Sequence, residues 1–136
     1  MRSFRIVGSL LLLVGLGCQG VESTEAALGQ EFELAPNQST RIAGTPLIVG
    51  FRRVTTDNRC PIDAVCVAEG RAGIELEIFG GAASGPVELG TPLPAAWTDG
   101  HYRVEAVDLR PDRTASSEIR PDEYRLRLLV DLARRP

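Results

Sequence analysis

Among the 136 residues there is not one lysine, and all 15 basic side chains are arginines. That absence reads as the codon bias of a GC-rich genome and carries no chemistry of its own. Histidine is almost missing too, with His101 alone, and this shortage excludes more. A serine or cysteine hydrolase needs a base, usually histidine, within hydrogen-bond reach of its nucleophile. His101 opens a strand just after "TDG" with no motif around it, so it reads as a surface histidine beside Tyr102. A Gly-x-Ser-x-Gly elbow, a phosphate-cradling glycine-rich loop and a His-Glu-x-x-His zinc motif are all lacking. Acidic residues are plentiful, but no pair of them stands out, so a hydrolase with acidic catalytic residues is only the third reading, and no cofactor is expected. Long apolar runs are also missing. A membrane-spanning helix needs about 20 apolar residues, whereas the run from Ile6 to Gly17 has twelve.

What is present begins with that short run, which follows Arg2 and Arg5 and ends at Cys18, the order of a secretory signal peptide over residues 1–17. The stretch "LVGLGCQG" resembles a bacterial lipobox: small Gly17 precedes Cys18, and Leu16 and Val14 are apolar, although Gly15 stands where leucine is usual. The resemblance implies a mature chain that starts at Cys18, carries a diacylglyceryl group on that thiol and is held to a membrane by it. The alternative is ordinary cleavage near Gly17 or after "TEAA" and a soluble secreted protein. With residues 1–17 removed, 13 arginines face 18 acidic residues, a net charge of −5, so nucleic acid is not an expected partner. With Cys18 taken by lipid, Cys60 and Cys66 remain as a pair, which outside the reducing cytosol is expected to be oxidised. The expected location is the cell envelope, exported and lipid-anchored, with the membrane face left open.

Residues 18–29, "CQGVESTEAALG", show no long apolar pattern and read as a tether. From residue 30 to 136 there is room for one domain and not two. Its dominant signal is period-two alternation, the mark of strands with one buried face. Ile74, Leu76 and Ile78 alternate with Glu75 and Glu77; Tyr124, Leu126, Leu128, Val130 and Leu132 alternate with Arg125, Arg127 and Asp131. Shorter runs surround Phe32 and Leu34, Ile42, Val87 and Leu89. In two segments the alternation slips, between Phe51 and Val54 and between Ala106 and Val107, each predicting a β-bulge or a strand that changes sheets. Turn-formers punctuate these runs about every ten residues. The expected fold is all-β: an antiparallel β-sandwich of about seven strands, of immunoglobulin or fibronectin-like size. "IRPDEY", residues 119–124, is similar to the segment leading into the tyrosine-corner strand of fibronectin type III domains, one residue short, and favours a sandwich over a closed barrel.

The densest chemistry lies in "DNRCPIDAVCVAEG", residues 57–70. Five residues separate Cys60 from Cys66, unlike the Cys-x-x-Cys of active dithiols. The pair would lie about 9 Å apart in a helix and about 20 Å apart in a strand, so a bridge requires the loop to fold back, with Pro61 presetting the turn and Asp63 and Ala64 completing it. Asp57, Asp63 and Glu69 are calcium candidates by oxygen chemistry, against which Arg59 sits among them and neutralises Asp57 or Asp63 itself. Trp97, in "TPLPAAWTDG", is placed on a loop stiffened by Pro92 and Pro94, as a binding anchor if exposed or a hydrophobic plug closing one end of the sandwich. "DNRCP", a second cysteine and then Gly70 before an alternating strand resemble a family of uncharacterised bacterial secreted proteins and lipoproteins with the pattern Asp-x-Arg-Cys-Pro, Cys, Gly. Relatives often carry an aromatic residue where this chain has Ala68. The resemblance extends to "IRPDEYRLRLLV" and implies fold and compartment, not an activity.

Taken together, these features describe a lipid-anchored, disulfide-stapled β-sandwich with a binding or structural role and an unidentified protein or small-molecule ligand. The runner-up is a secreted interaction module or protease inhibitor that uses the Cys60–Cys66 loop.

Overall fold

Alternation in the sequence becomes burial in space. In the computed structural model, which describes residues 25–134, Ile74, Leu76 and Ile78 are wholly buried while Glu75 and Glu77 on the other parity are half-buried. The signal segment, Cys18 and the tether as far as residue 24 lie outside the described residues. The described residues form nine strands: β1 (Glu25–Ala26), β2 (Glu31–Leu34), β3 (Gln38–Ile42), β4 (Ile48–Asp57), β5 (Ala72–Phe79), β6 (Gly85–Gly90), β7 (Ala95–Thr98), β8 (Tyr102–Arg110) and β9 (Arg125–Leu132), with a 3-10 turn at Pro121–Glu123.

One sheet has the order β1-β3-β4-β5-β6 and the other β2-β9-β8-β7. All neighbours are antiparallel except β1 and β3. Their inward faces share one core, to which Val49, Phe51, Leu76 and Ile78 contribute from the first sheet and Val104, Leu126, Leu128 and Val130 from the second. The expected all-β sandwich is therefore what forms, with two strands more than alternation predicts. β1 is too short to show a period, yet Ala26 is buried against β3, and the Gly29 amide donates to the Val130 carbonyl at 2.9 Å. Residues 25–29, assigned by sequence to the tether, thus belong to the domain. β7 is likewise a strand where a loop was expected.

Both alternation slips are bulges. Register shifts fall between Phe51 and Arg53 and between Val54 and Thr56 in β4, and between Ala106 and Asp108 in β8. Inserting a residue changes which parity faces the core, so Val54 still packs inward and Leu109 is buried.

The registers also sort the loops into two ends. Glu25 pairs beside Arg41, which pairs with Ile48 at the start of β4, so the N-terminal entry lies at one end. Asp57 closes β4 at the other, where Arg110 pairs with Arg125 and the loops 58–71 and 111–124 gather.

Candidate functional site

The β4–β5 hairpin stays zipped beyond its strands. Asn58 and Cys60 amides donate to the Arg71 and Glu69 carbonyls, each at 2.7 Å. The disulfide between Cys60 and Cys66 brings their Cα atoms to 6.0 Å, and the Ala64 amide closes a turn on the Pro61 carbonyl at 3.1 Å, as the proline's position predicts. Gly70 has φ +67°, and a Cβ there would collide with the Asn58 carbonyl. The left-handed conformation is costly for residues with a side chain, so this return path needs glycine. A disulfide fits an oxidising compartment.

What the sequence does not reveal is how this hairpin is fastened to the opposite sheet. Arg59 forks onto Asp57, Nε to Oδ1 at 2.8 Å and Nη2 to Oδ2 at 2.7 Å, in a pair that is largely buried. The same guanidinium donates to the carbonyls of Leu109 and Pro111, each at 3.0 Å. Tyr124, buried at the head of β9, donates its hydroxyl to Asp57 Oδ2 at 2.9 Å. The tyrosine-corner likeness therefore ends in a different contact, with a carboxylate 67 residues away. The loop is stitched further by Arg113 Nη1 to the Arg59 carbonyl at 2.9 Å, the Ile62 amide to the Arg113 carbonyl at 2.9 Å and the Ala115 amide to Asp63 Oδ1 at 2.8 Å.

Electrostatics follow from this geometry. Burial alone would raise the Asp57 carboxyl, but hydrogen bonds from Arg59 and Tyr124 outweigh it and hold the group below its usual 3.8. Burial, then the hydrogen bond to that carboxylate, pushes the Tyr124 phenol up from 10.0 to about 12. The hydrogen bond to Asp57 raises Arg59, so it stays charged.

The calcium candidates do not converge. Both Asp57 oxygens are taken by Arg59 and Tyr124, Asp63 accepts from Ala115, and with Glu69 they form no metal-ligating group among the described residues. Arg59 is thus the ligand of Asp57, as its place in the sequence suggested. Trp97 lies on strand β7 instead of a loop: it pairs with Val104 and packs half-buried against the core. His101 is exposed at the opposite end, its ring 4.6 Å from Tyr102 edge to face.

Two further features of the disulfide end went unmarked in the sequence. First, Ile62, Val65 and Val67 are exposed by 71%, 104% and 110%, on a loop too rich in turn residues for any periodicity to show. Second, a cleft of about 730 Å³ opens beside it, lined by the last four residues of β4, by Pro61, by the segment from Arg113 to Ile119 and by Tyr124. The hydroxyls of Thr55, Thr56, Thr114, Ser116 and Ser117 belong to these lining residues.

Among the described residues no helix is long and apolar enough to cross a membrane. Comparison with protein-family models, with curated proteins and with solved structures gives no match.

Proposed function

We propose that the chain is an exported, lipid-anchored binding module, held to a membrane through Cys18, whose contact surface is the disulfide-closed loop. The observation that carries this reading is the exposure of Ile62, Val65 and Val67 on a loop that cannot collapse to hide them. Aliphatic side chains held in water are a standing cost of about 1.5–3 kcal/mol each relative to burial, and a partner surface that covers them recovers part of it. The disulfide and the Arg59–Asp57–Tyr124 fastening keep the loop ordered before contact, which lowers the entropic cost of binding.

Lipid attachment and contact have separate tests. Intact mass of the mature protein should show acyl chains on Cys18; an unmodified chain starting elsewhere would leave a secreted module. A photoreactive residue at Val65 should give a discrete adduct in intact cells, absent when the same residue replaces Arg41 at the other end. Equal labelling at both positions, or none at either, would refute the contact surface. The disulfide-loop likeness to uncharacterised bacterial secreted proteins and lipoproteins points to the same compartment.

A further inference from the structure

We propose that the cleft beside the disulfide loop takes an extended polypeptide segment of a partner, which adds as a strand to the free edge of β4 between Arg52 and Thr56. This rests on the disulfide end being the contact surface, and it specifies what that surface recognises.

The edge is built by a mismatch in strand length. β3 pairs with β4 only from Arg41 opposite Ile48 to Gln38 opposite Phe51, after which the chain turns away through Asn37, whose amide caps the Phe51 carbonyl at 2.7 Å. Among the described residues, β4 runs on to Asp57 with β5 as its one paired neighbour. In an antiparallel ladder the amides and carbonyls of alternate residues point away from the partner; the two bulges interrupt that alternation between Phe51 and Thr56, but the stretch still has an open side that carries backbone donors and acceptors. Val54 to Asp57 line the cleft there, and the segment from Arg113 to Ile119 forms a second wall. The opening, about 730 Å³, is of the size that encloses a ligand of several residues.

The chemistry of the walls selects backbone over other occupants. Charges near the edge are matched in pairs, Arg52 with Glu77 at 3.1 Å, Arg53 with Glu75 at 2.9 Å and Asp57 with Arg59 at 2.7 Å. On the second wall Arg113 donates to the Arg59 carbonyl and Glu118 is an exposed carboxylate; the rest of the lining is hydroxyl, peptide and small apolar groups, which complements a neutral, hydrogen-bonding chain and not a polyanion. The aromatic residue lining the cleft, Tyr124, is buried and tied to Asp57, leaving no ring there for a sugar to stack upon. The two bulges and the arginines hinder indiscriminate edge pairing, so only a segment that also fits the cleft gains from adding here.

The test selects random dodecapeptides on phage against the oxidised mature protein and measures the enriched sequences as synthetic peptides. N-methylating alternate peptide residues removes backbone donors on one side, and the loss of two hydrogen bonds should weaken binding about tenfold or more. Ser116→Trp, filling the cleft from an exposed position, should weaken it similarly with an unchanged melting temperature; Arg41→Trp should not. Absence of enriched peptides, insensitivity to N-methylation, preference for chitooligosaccharides over peptides, or a self-association abolished by Ser116→Trp would each overturn strand addition. If the adduct at Val65 persists while any of these occurs, the binding-module reading stands and only the strand addition fails.

Discussion

Two trios of aliphatic side chains, within twenty residues of each other, meet opposite fates. Ile74, Leu76 and Ile78 in β5 are fully buried, whereas Ile62, Val65 and Val67 stand in water. Side-chain chemistry does not separate them; backbone geometry does. In β5 the pleat sends every second residue to one face, and the opposing sheet covers that face. In the loop the path is dictated by a disulfide, a glycine at φ +67° and polar stitches to residues 109–115, none of which needs its aliphatic groups inside. Burial holds the first region together, while covalent and polar links hold the second and leave its apolar surface exposed.

The contrast can be broken at its strongest point first. Leu76→Ala should lower unfolding free energy by about 3–4 kcal/mol in urea titrations, from lost burial and the cavity left behind. Asp57→Ala should cost about 2–3 kcal/mol, because it strands the largely buried Arg59 and frees the Tyr124 hydroxyl; a loss below about 0.5 kcal/mol would show that the fastening is dispensable. Replacing Cys60 and Cys66 together by serine should remove about 2 kcal/mol, the chain-entropy value for so small a ring, seen as a lower melting temperature. Smallest of all, Val65→Ser with Val67→Ser should change stability by less than about 0.5 kcal/mol while abolishing the cross-link at the disulfide end.

The fastening also predicts a dependence on pH at both extremes. Asp57 is held below its usual 3.8, so its contribution is complete above that value and is lost as the pH falls through the folded-state value. Tyr124 is raised from 10.0 to about 12, so its contribution is complete below pH 10 and disappears as the pH climbs to about 12. Tyr124→Phe should flatten that alkaline limb in pH-scanned thermal melts. Asp57→Asn should shrink the acid limb without removing it, because burial-opposed hydrogen bonds from Arg110 and Arg127 lower Asp108 as well.

Much of the fold was legible because strands announce themselves locally. Leu126, Leu128 and Val130 alternate and are buried, and the slips near Phe51 and Ala106 marked the bulges. β1 has two residues and β7 four, too few to carry a period, so Ala26 was read as tether and Trp97 as loop. At the candidate site the disulfide pair and the Asp57–Arg59 attraction were visible, since both join near neighbours. The cleft was not, because its walls come from β4 and from residues 113–119, whose nearness no local pattern encodes.

By itself, then, the sequence determined the two-faced strands, the bulges and a cysteine pair that had to fold back, all of which depend on residues a few positions apart. Only the tertiary structure decided that Tyr124 meets Asp57, that the calcium candidates part company, and that β3 stops short and, among the described residues, leaves an edge of β4 open. These are consequences of how two sheets stack and how long each strand runs, and they arise from contacts between distant residues that no local periodicity records.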